Sequence, residues 1–291
     1  MQQERQRLPI ISAKPLTAES EDILQINAPL LADWLVAFLQ DEIVRRRGFH
    51  QAVVGISGGV DSSLVAFLLA KALGPKNVLG IRMPYKTSSQ ESLEHAALVA
   101  EVTGICMETI PITDAVDGYL KYAPDADPRR RGNVMARMRM IVLFDQSQKL
   151  GTLPVGTGNK SERLLGYFTW HADDSPPINP LGDLYKTQVW QLARYVGVPE
   201  VIVNKPASAD LIVGQTDEGD FGISYQKADR ILYFLLRGYP PARLLEMGFT
   251  EEEVKLVKGR LDSTHWKRHL PTTAMISSTS INDYYLRPVD Y

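Results

Sequence analysis

The stretch Ala52-Val53-Val54-Gly55-Ile56-Ser57-Gly58-Gly59-Val60-Asp61-Ser62-Ser63 decides how the chain is read. An apolar run stops at a serine and two glycines, and a helix-forming run follows at once. That order predicts a buried strand over 52–56, a tight turn, and a helix from Asp61 to Leu73 ending at Gly74-Pro75. Adjacent glycines let the backbone turn sharply and approach a ligand. A helix start adds unpaired N–H groups and a positive dipole end. Residues Gly55, Ile56, Ser57, Gly58, Gly59, Val60, Asp61 and Ser62 therefore form a cradle for a polyphosphate. The pattern is neither GxxxxGK[ST] nor GxGxxG. Asp61 places a carboxylate beside those phosphates. Two anions sit together when a cation lies between them, so Asp61 reads as a magnesium ligand. The alternative is that it only favours the helix N-terminus, with Ser57 or Ser62 as the cap.

Further along, the same rhythm repeats. Strands are expected over Val78–Met83, Ile105–Ile110 and Thr152–Gly156, with helices over Gln90–Val102 and Asn133–Lys149. Strands separated by helix-length segments predict an α/β fold: an open, mainly parallel sheet with helices on both faces. Upstream, Leu31, Trp34, Leu35, Phe38, Leu39 and Ile43 recur at helical spacing over 29–47, after a loose polar arm over 1–28. Downstream the chain is mostly helical, about 183–196, 225–237 and 250–262. The organisation expected is one domain over 29–271 with a helical C-terminal part, then a tail over 272–291. Between Tyr122 and Arg131 lies a polar, proline-containing loop.

A formal net charge of -2 supplies no global positive field for nucleic acid. The runs Arg45–Arg47 and Arg129–Arg131 read as a solvated helix end and a solvated loop. The single cysteine, Cys106, has no partner for an intrachain disulfide or a Cys-based zinc site, and reads as a half-buried strand or loop thiol. The first residues have no apolar leader core, and no run reaches the ~20 apolar residues that cross a bilayer. These features predict a cytoplasmic protein without a membrane partner.

A second constellation follows the fourth strand: Gly156-Thr157-Gly158-Asn159-Lys160-Ser161-Glu162, then Gly166-Tyr167-Phe168-Thr169, then Asn179-Pro180-Leu181-Gly182-Asp183-Leu184-Tyr185-Lys186-Thr187. Ligands of open α/β sheets bind beyond the carboxyl ends of the strands. Thr157 and Glu162 stand there, so Glu162 and Asp61 come from neighbouring crossovers and together suit Mg²⁺ bound to phosphates. Glu162 alternatively caps its own helix. Lys205 is a point charge suited to phosphates. Ser224 is either a phosphate contact or a helix cap. Arg137 and Arg139, two apart on a helix, point to different faces, so one of them faces the pocket. Arg82 ends the second strand and is a further phosphate candidate.

The Ser57–Ser62 loop resembles the pyrophosphate loop of the N-type ATP pyrophosphatases. The order of the later blocks, with Gly132–Met140, Lys205–Leu211 and Asp217–Tyr225, resembles the NAD synthetase family in its stand-alone form, from about residue 30 to about 271. The resemblance implies an adenine nucleotide alpha-hydrolase-like fold and a homodimer. It implies amidation of deamido-NAD to NAD with ATP, Mg²⁺ and ammonia, through an adenylated intermediate. Asp61, Glu162 and Lys205 would carry the chemistry. Asp61 and Glu162 would hold the metal. The 55–62 loop, Arg82, Thr157, Lys205 and Ser224 would contact ATP, and Arg137, rather than Arg139, the deamido-NAD. Only about fifty residues precede the loop strand, so free ammonia is the expected nitrogen donor.

The chain departs from the family in two places. Trp170 stands where many members have lysine, and Pro177 where they have aspartate. Trp170 is then expected to stack on a ring, and Asp173 or Asp174 to supply the carboxylate. Near the end, Lys267 matches the family, while its histidine corresponds to Trp266 without a gap or to His265 across an insertion. Loops near 84–92 and 206–223 are candidate lids. The rival readings are an ATP pyrophosphatase that adenylates another substrate, and a non-catalytic nucleotide-binding protein.

Overall fold

The apolar runs pair as parallel strands in the order β3-β2-β1-β4: β1 (Ala52–Gly55), β2 (Val78–Arg82), β3 (Cys106–Thr109) and β4 (Leu153–Val155). The computed structural model describes residues 21–208, 214, 216–277 and 279–281. Successive strand residues point to opposite faces. Ala52 and Val54 thus pack into one buried layer, while Val53 and Ile81 meet Leu143 on the other side.

The helices follow in order. They are α1 (Ala28–Gln40), α2 (Val60–Leu73), α3 (Gln90–Thr103), α4 (Thr113–Leu120), α5 (Pro128–Leu150) and α6 (Lys160–Leu164). Then come α7 (Lys186–Val196), α8 (Glu200–Val203), α9 (Asp217–Phe221), α10 (Tyr225–Leu235), α11 (Pro241–Glu246) and α12 (Glu251–Ser263). Helix α2 is buried on nearly every side, from Val60 to Ala72, because α1, α3 and α7 surround it against the sheet. An all-round apolar helix is stable only in such a place. Helices α10 and α12 build a second apolar core around Phe221, Tyr225, Phe234 and Phe249, and Trp190 of α7 touches both cores.

Several expectations need correction. Helix α5 starts at Pro128, not at Asn133, because Asp127 caps it by accepting from Arg130 N–H at 2.8 Å and Pro128 suits the first turn. The Arg129–Arg131 run is therefore the first turn of a helix rather than a loop. Helix α7 begins at Lys186 rather than 183. Cys106 sits on edge strand β3 and is exposed, not half-buried. The end of the N-terminal arm is docked: Leu24 is buried, and Gln191 donates to its carbonyl at 3.2 Å. The rest of that arm (1–20), the motif residues Ala209–Leu211 and the tail beyond 281 lie outside the described residues. Among the described residues, no helix is long and apolar enough to cross a membrane.

Candidate active site

The carboxyl ends of β1, β2 and β4 open into a cavity of about 1010 Å³. The loop after β1 forms one wall. Gly58 has φ +80°, and a Cβ there would lie 2.2 Å from the Ser92 carbonyl. Glycine alone lets the first turn of α3 rest against the loop. Ser57 N–H donates to Ser62 Oγ at 3.2 Å, and the Ser63 hydroxyl donates to Gly59 O at 2.8 Å, so the turn fixes itself. Gly55, Ile56, Ser57, Gly59, Val60, Asp61 and Ser62 line the cavity, and Gly58 stands behind them against α3.

The floor is a network of polar groups, with Asn159 and Lys186 buried and Asp61 and Glu162 partly exposed to the cavity. Asn159, fully buried, donates to Asp61 Oδ1 at 2.9 Å. Lys186 Nζ lies 2.5 Å from Asp61 Oδ2 and 3.5 Å from Glu162 Oε1. Glu162 is also the third residue of a capping box, accepting from Asn159 N–H at 3.2 Å while Asn159 Oδ1 accepts from Glu162 N–H at 2.9 Å. Capping and facing the cavity thus coexist in one side chain. Burial, helped by the Asp61 charge, pushes the Glu162 carboxyl up to about 8. Burial works against the Lys186 charge, but Asp61, Glu162 and Asp217 outweigh it and hold the ammonium above the ordinary lysine value.

Lys186, within the Asn179–Thr187 motif, is a site residue that the spacing of the motif does not single out. The signal was there: it is the first residue of α7, at the positive end of a helix dipole, where a cation is disfavoured unless anions face it. Its backbone is anchored in turn. Lys186 N–H donates to Ser161 Oγ at 2.9 Å, and Ser161 Oγ and Thr187 both donate to Asp229. Burial pushes the Asp229 carboxyl up to about 6.

The other walls bring in more of the expected residues. Arg82, Thr157, Lys205, Asp173 and Lys267 line the cavity. Lys205 Nζ donates to Ser92 Oγ at 2.9 Å and pairs with Glu91 at 3.3 Å, tying the segment after α8 to the start of α3. Lys267 donates to the Gly166 and Phe168 carbonyls, and burial lowers its ammonium below the usual range. Burial lifts the Asp173 carboxyl to about 6.

The two arginines of α5 face different cavities. Arg139 lines the cavity and donates to Met83 O at 3.1 Å. Arg137, expected at the substrate, instead donates to Trp170 O at 3.0 Å and lines a smaller neighbouring pocket. Trp170, Asp174, His265, Trp266 and Ser224 stand outside the cavity lining. Trp170 packs on His171 (3.9 Å between centroids) and edge-on to Trp266 (5.2 Å), forming an aromatic rim. Asp174 accepts from Ala172 N–H at 3.2 Å, and His265 faces His269 with Nε2 atoms 3.3 Å apart. Ser224 is at the cap position of α10, but its hydroxyl makes no capping bond.

A self-bonded glycine turn over two carboxylates and a buried ammonium suits a polyphosphate. The comparisons bear on which one. The family model described as NAD synthase matches residues 31–271. The NH(3)-dependent NAD(+) synthetase of Trichlorobacter lovleyi is 49% identical over 260 residues, covering 89% of this chain and 95% of that one. The enzyme of the same name from Fusobacterium nucleatum is 45% identical, covering 87% of this chain and 98% of that one. Among solved structures, an NH3-dependent NAD synthetase from Campylobacter jejuni aligns with TM-score 0.74 at 29% identity, covering 86% of this chain and all of that one (100%). A structure titled as an NMN synthetase from Francisella tularensis aligns with TM-score 0.76 at 28% identity, covering 86% of this chain and 99% of that one.

Proposed function

The chain belongs to the NAD synthase family, and on that premise we propose that it amidates the nicotinate carboxylate of deamido-NAD with ATP and ammonia, forming NAD, AMP and pyrophosphate. It is a carbon–nitrogen ligase. The observation that carries the reading is the Asp61–Lys186–Glu162 cluster beneath the Ser57–Ser62 turn, at the strand ends where such folds bind nucleotides.

The reaction has two steps. A carboxylate oxygen of the substrate attacks the α-phosphorus of ATP, and pyrophosphate leaves. Ammonia then attacks the acyl carbon, and AMP leaves with that oxygen. The backbone amides of the turn receive the pyrophosphate, and Lys186 and Lys205 offset its charge. Arg139, Arg82 and Lys267 add positive groups to the walls where the two nucleotides lie side by side. These placements are supported by the lining residues and by charge complementarity. Water must be excluded, because an adenylate hydrolyses. The segments 84–92 and 206–208 flank the cavity as lids, and the part of the second lid over 209–213 and 215 lies outside the described residues.

Asp61 and Glu162 would hold Mg²⁺. The donor set fits, since Mg²⁺ takes one or two carboxylates and fills its remaining positions with phosphate oxygens and water. Among the described residues no third His, Cys, Asp or Glu converges with them, so the phosphates must complete the shell. Bound there, the ion would neutralise charge on the phosphates.

A homodimer is the assembly we favour. Leu30 and Trp34 of α1, and Ile141 and Phe144 of α5, are exposed apolar groups on long helices. Such bands mark interaction surfaces. Gel filtration with light scattering would give twice the chain mass, or show a monomer and refute it.

The functional test supplies ATP, Mg²⁺, deamido-NAD and ammonium and follows NAD and AMP by chromatography. Parallel reactions use glutamine, nicotinate mononucleotide, or the Asp61→Ala protein. Equal yields of NAD and AMP, absent with glutamine and lost with Asp61→Ala, are expected. Turnover of the mononucleotide alone would place the substrate with the protein titled NMN synthetase. ATP binding without cleavage would refute the catalytic reading.

A further inference from the structure

One carboxylate in the cavity keeps an oxygen without a close hydrogen-bond donor among the described residues. Asp217 is 3% exposed and lines the cavity wall. Its Oδ2 accepts from the Tyr225 hydroxyl at 3.0 Å, but its Oδ1 accepts no hydrogen bond among the described residues. Lys186, the basic group whose charge reaches it, is committed to Asp61 and Glu162. An ionised carboxylate kept from water without a partner is costly, and the cost falls when a cation is brought to it.

The surroundings select the kind of cation. Tyr167 lines the cavity beside Asp220; its hydroxyl donates to Asp220 Oδ2 at 2.7 Å and also lies in hydrogen-bonding reach of the Asp217 carboxylate, and its ring packs edge-on against Phe221 at 4.7 Å. Phe221 in turn packs against Tyr225 at 5.3 Å. One free carboxylate oxygen among aromatic rings does not suit Mg²⁺, which demands six oxygens in an octahedron. Among the described residues, no cluster of three metal-ligating side chains exists here. The same setting suits a small monovalent cation with N–H donors, attracted both by the carboxylate and by the ring face.

We propose that Asp217 and Tyr167 form the docking site of the ammonium ion that supplies the amide nitrogen. The inference rests on the amidation reading above and adds to it where the nitrogen donor waits. Ammonium donates one N–H to Asp217 Oδ1 and lies against the Tyr167 ring, while the two nucleotides occupy the floor and the remaining walls. Before its nitrogen attacks, the ammonium gives one proton to Asp217 or to water, and a second is released as the amide forms and AMP leaves, so Asp217 acts in the second step and not in the first.

Full-length wild-type, Asp217→Asn and Tyr167→Leu proteins would be compared. NAD formation is measured while ammonium, ATP and deamido-NAD are varied in turn. Separately, with no ammonium present, deamido-NAD-dependent exchange of labelled pyrophosphate into ATP reports the first step. Asp217→Asn should raise the KM for ammonium about tenfold or more, the loss expected for one charged hydrogen bond. It should leave the exchange rate and the KM values for both nucleotides within about twofold. The defect should shrink when hydroxylamine, a neutral nucleophile, replaces ammonium. An unchanged ammonium KM, a parallel rise in all three KM values, or an equal defect with hydroxylamine would overturn the proposal. If Asp217→Asn does not fold, Tyr167→Leu, which removes the ring face, decides: a selective rise in ammonium KM supports the site, and no change overturns it. Wild-type protein without any deamido-NAD-dependent exchange would instead refute the amidation reading itself.

Discussion

At the floor of the cavity, Asp61, Asn159, Glu162 and Lys186 are bonded to one another, with Asn159 and Lys186 buried and the two carboxylates less than a fifth exposed. At the rim, Trp170, His171 and Trp266 touch mainly each other, and Trp266 is 59% exposed. The floor residues come from the starts of α2, α6 and α7, all set by the sheet. The rim residues come from a turn after α6 and from the chain beyond α12, joined through Lys267 and the carbonyls of Gly166 and Phe168. The floor is thus over-determined, since each group is held by at least one element and one neighbour. The rim depends on a few long-range contacts, which leaves it freer to differ between relatives.

The comparison breaks most visibly at Lys186. Lys186→Met would leave Asp61 and Glu162 facing one another without a cation, and removing one partner of a buried ion pair costs about 3–5 kcal/mol. Urea titration should show a loss of that size, together with loss of pyrophosphate exchange. A loss under about 1 kcal/mol would mean the floor is wetter than its burial indicates. Asp61→Asn keeps the shape and removes one charge. It leaves the Lys186 ammonium with Glu162 as its remaining carboxylate in that pair, so stability should fall by less than in Lys186→Met, while exchange slows about 10²–10³-fold, the scale seen when one group stabilising developing charge is lost.

Glu162 gives a pH signature. Its carboxyl is raised from 4.5 to about 8 in the folded chain, chiefly by burial. Between those values the folded state holds a proton that the unfolded state has released. The stability of the nucleotide-free protein should therefore fall as pH rises from about 4.5 to about 8. Glu162→Gln should flatten that slope in thermal melts, and an unchanged slope would show that another group titrates. The rim should give the smallest response. Trp266→Ala is expected to change stability by no more than about 0.5 kcal/mol, as for exposed positions. A stability loss comparable to that of Lys186→Met would abolish the distinction between floor and rim.

Legibility in the sequence follows the same division. Each of the four strands was placed to within a residue or two, because apolar runs bounded by glycine and helix-length spacers have few other readings. The phosphate turn was legible for the same reason. Lys186 was passed over because a lysine in a helix usually means a solvated face, and only the anions folded onto it reverse that reading. Which of Arg137 and Arg139 lines the cavity depends on how α5 is rotated against β1 and β4, which two residues on one helix do not specify by spacing alone. At the rim, no periodicity links Trp170 to Trp266. Their contact is made by turns, including His171 at φ 56°, which local sequence does not specify.

The central claim is that the carboxylate, not ammonia, attacks ATP first. It is tested most directly with deamido-NAD carrying ¹⁸O in its nicotinate carboxylate, incubated with ATP, Mg²⁺ and ammonium. The AMP released is then examined by mass spectrometry. With the carboxylate as the attacking group, one labelled oxygen passes into AMP for each NAD formed. AMP free of label, with NAD still produced, would contradict it.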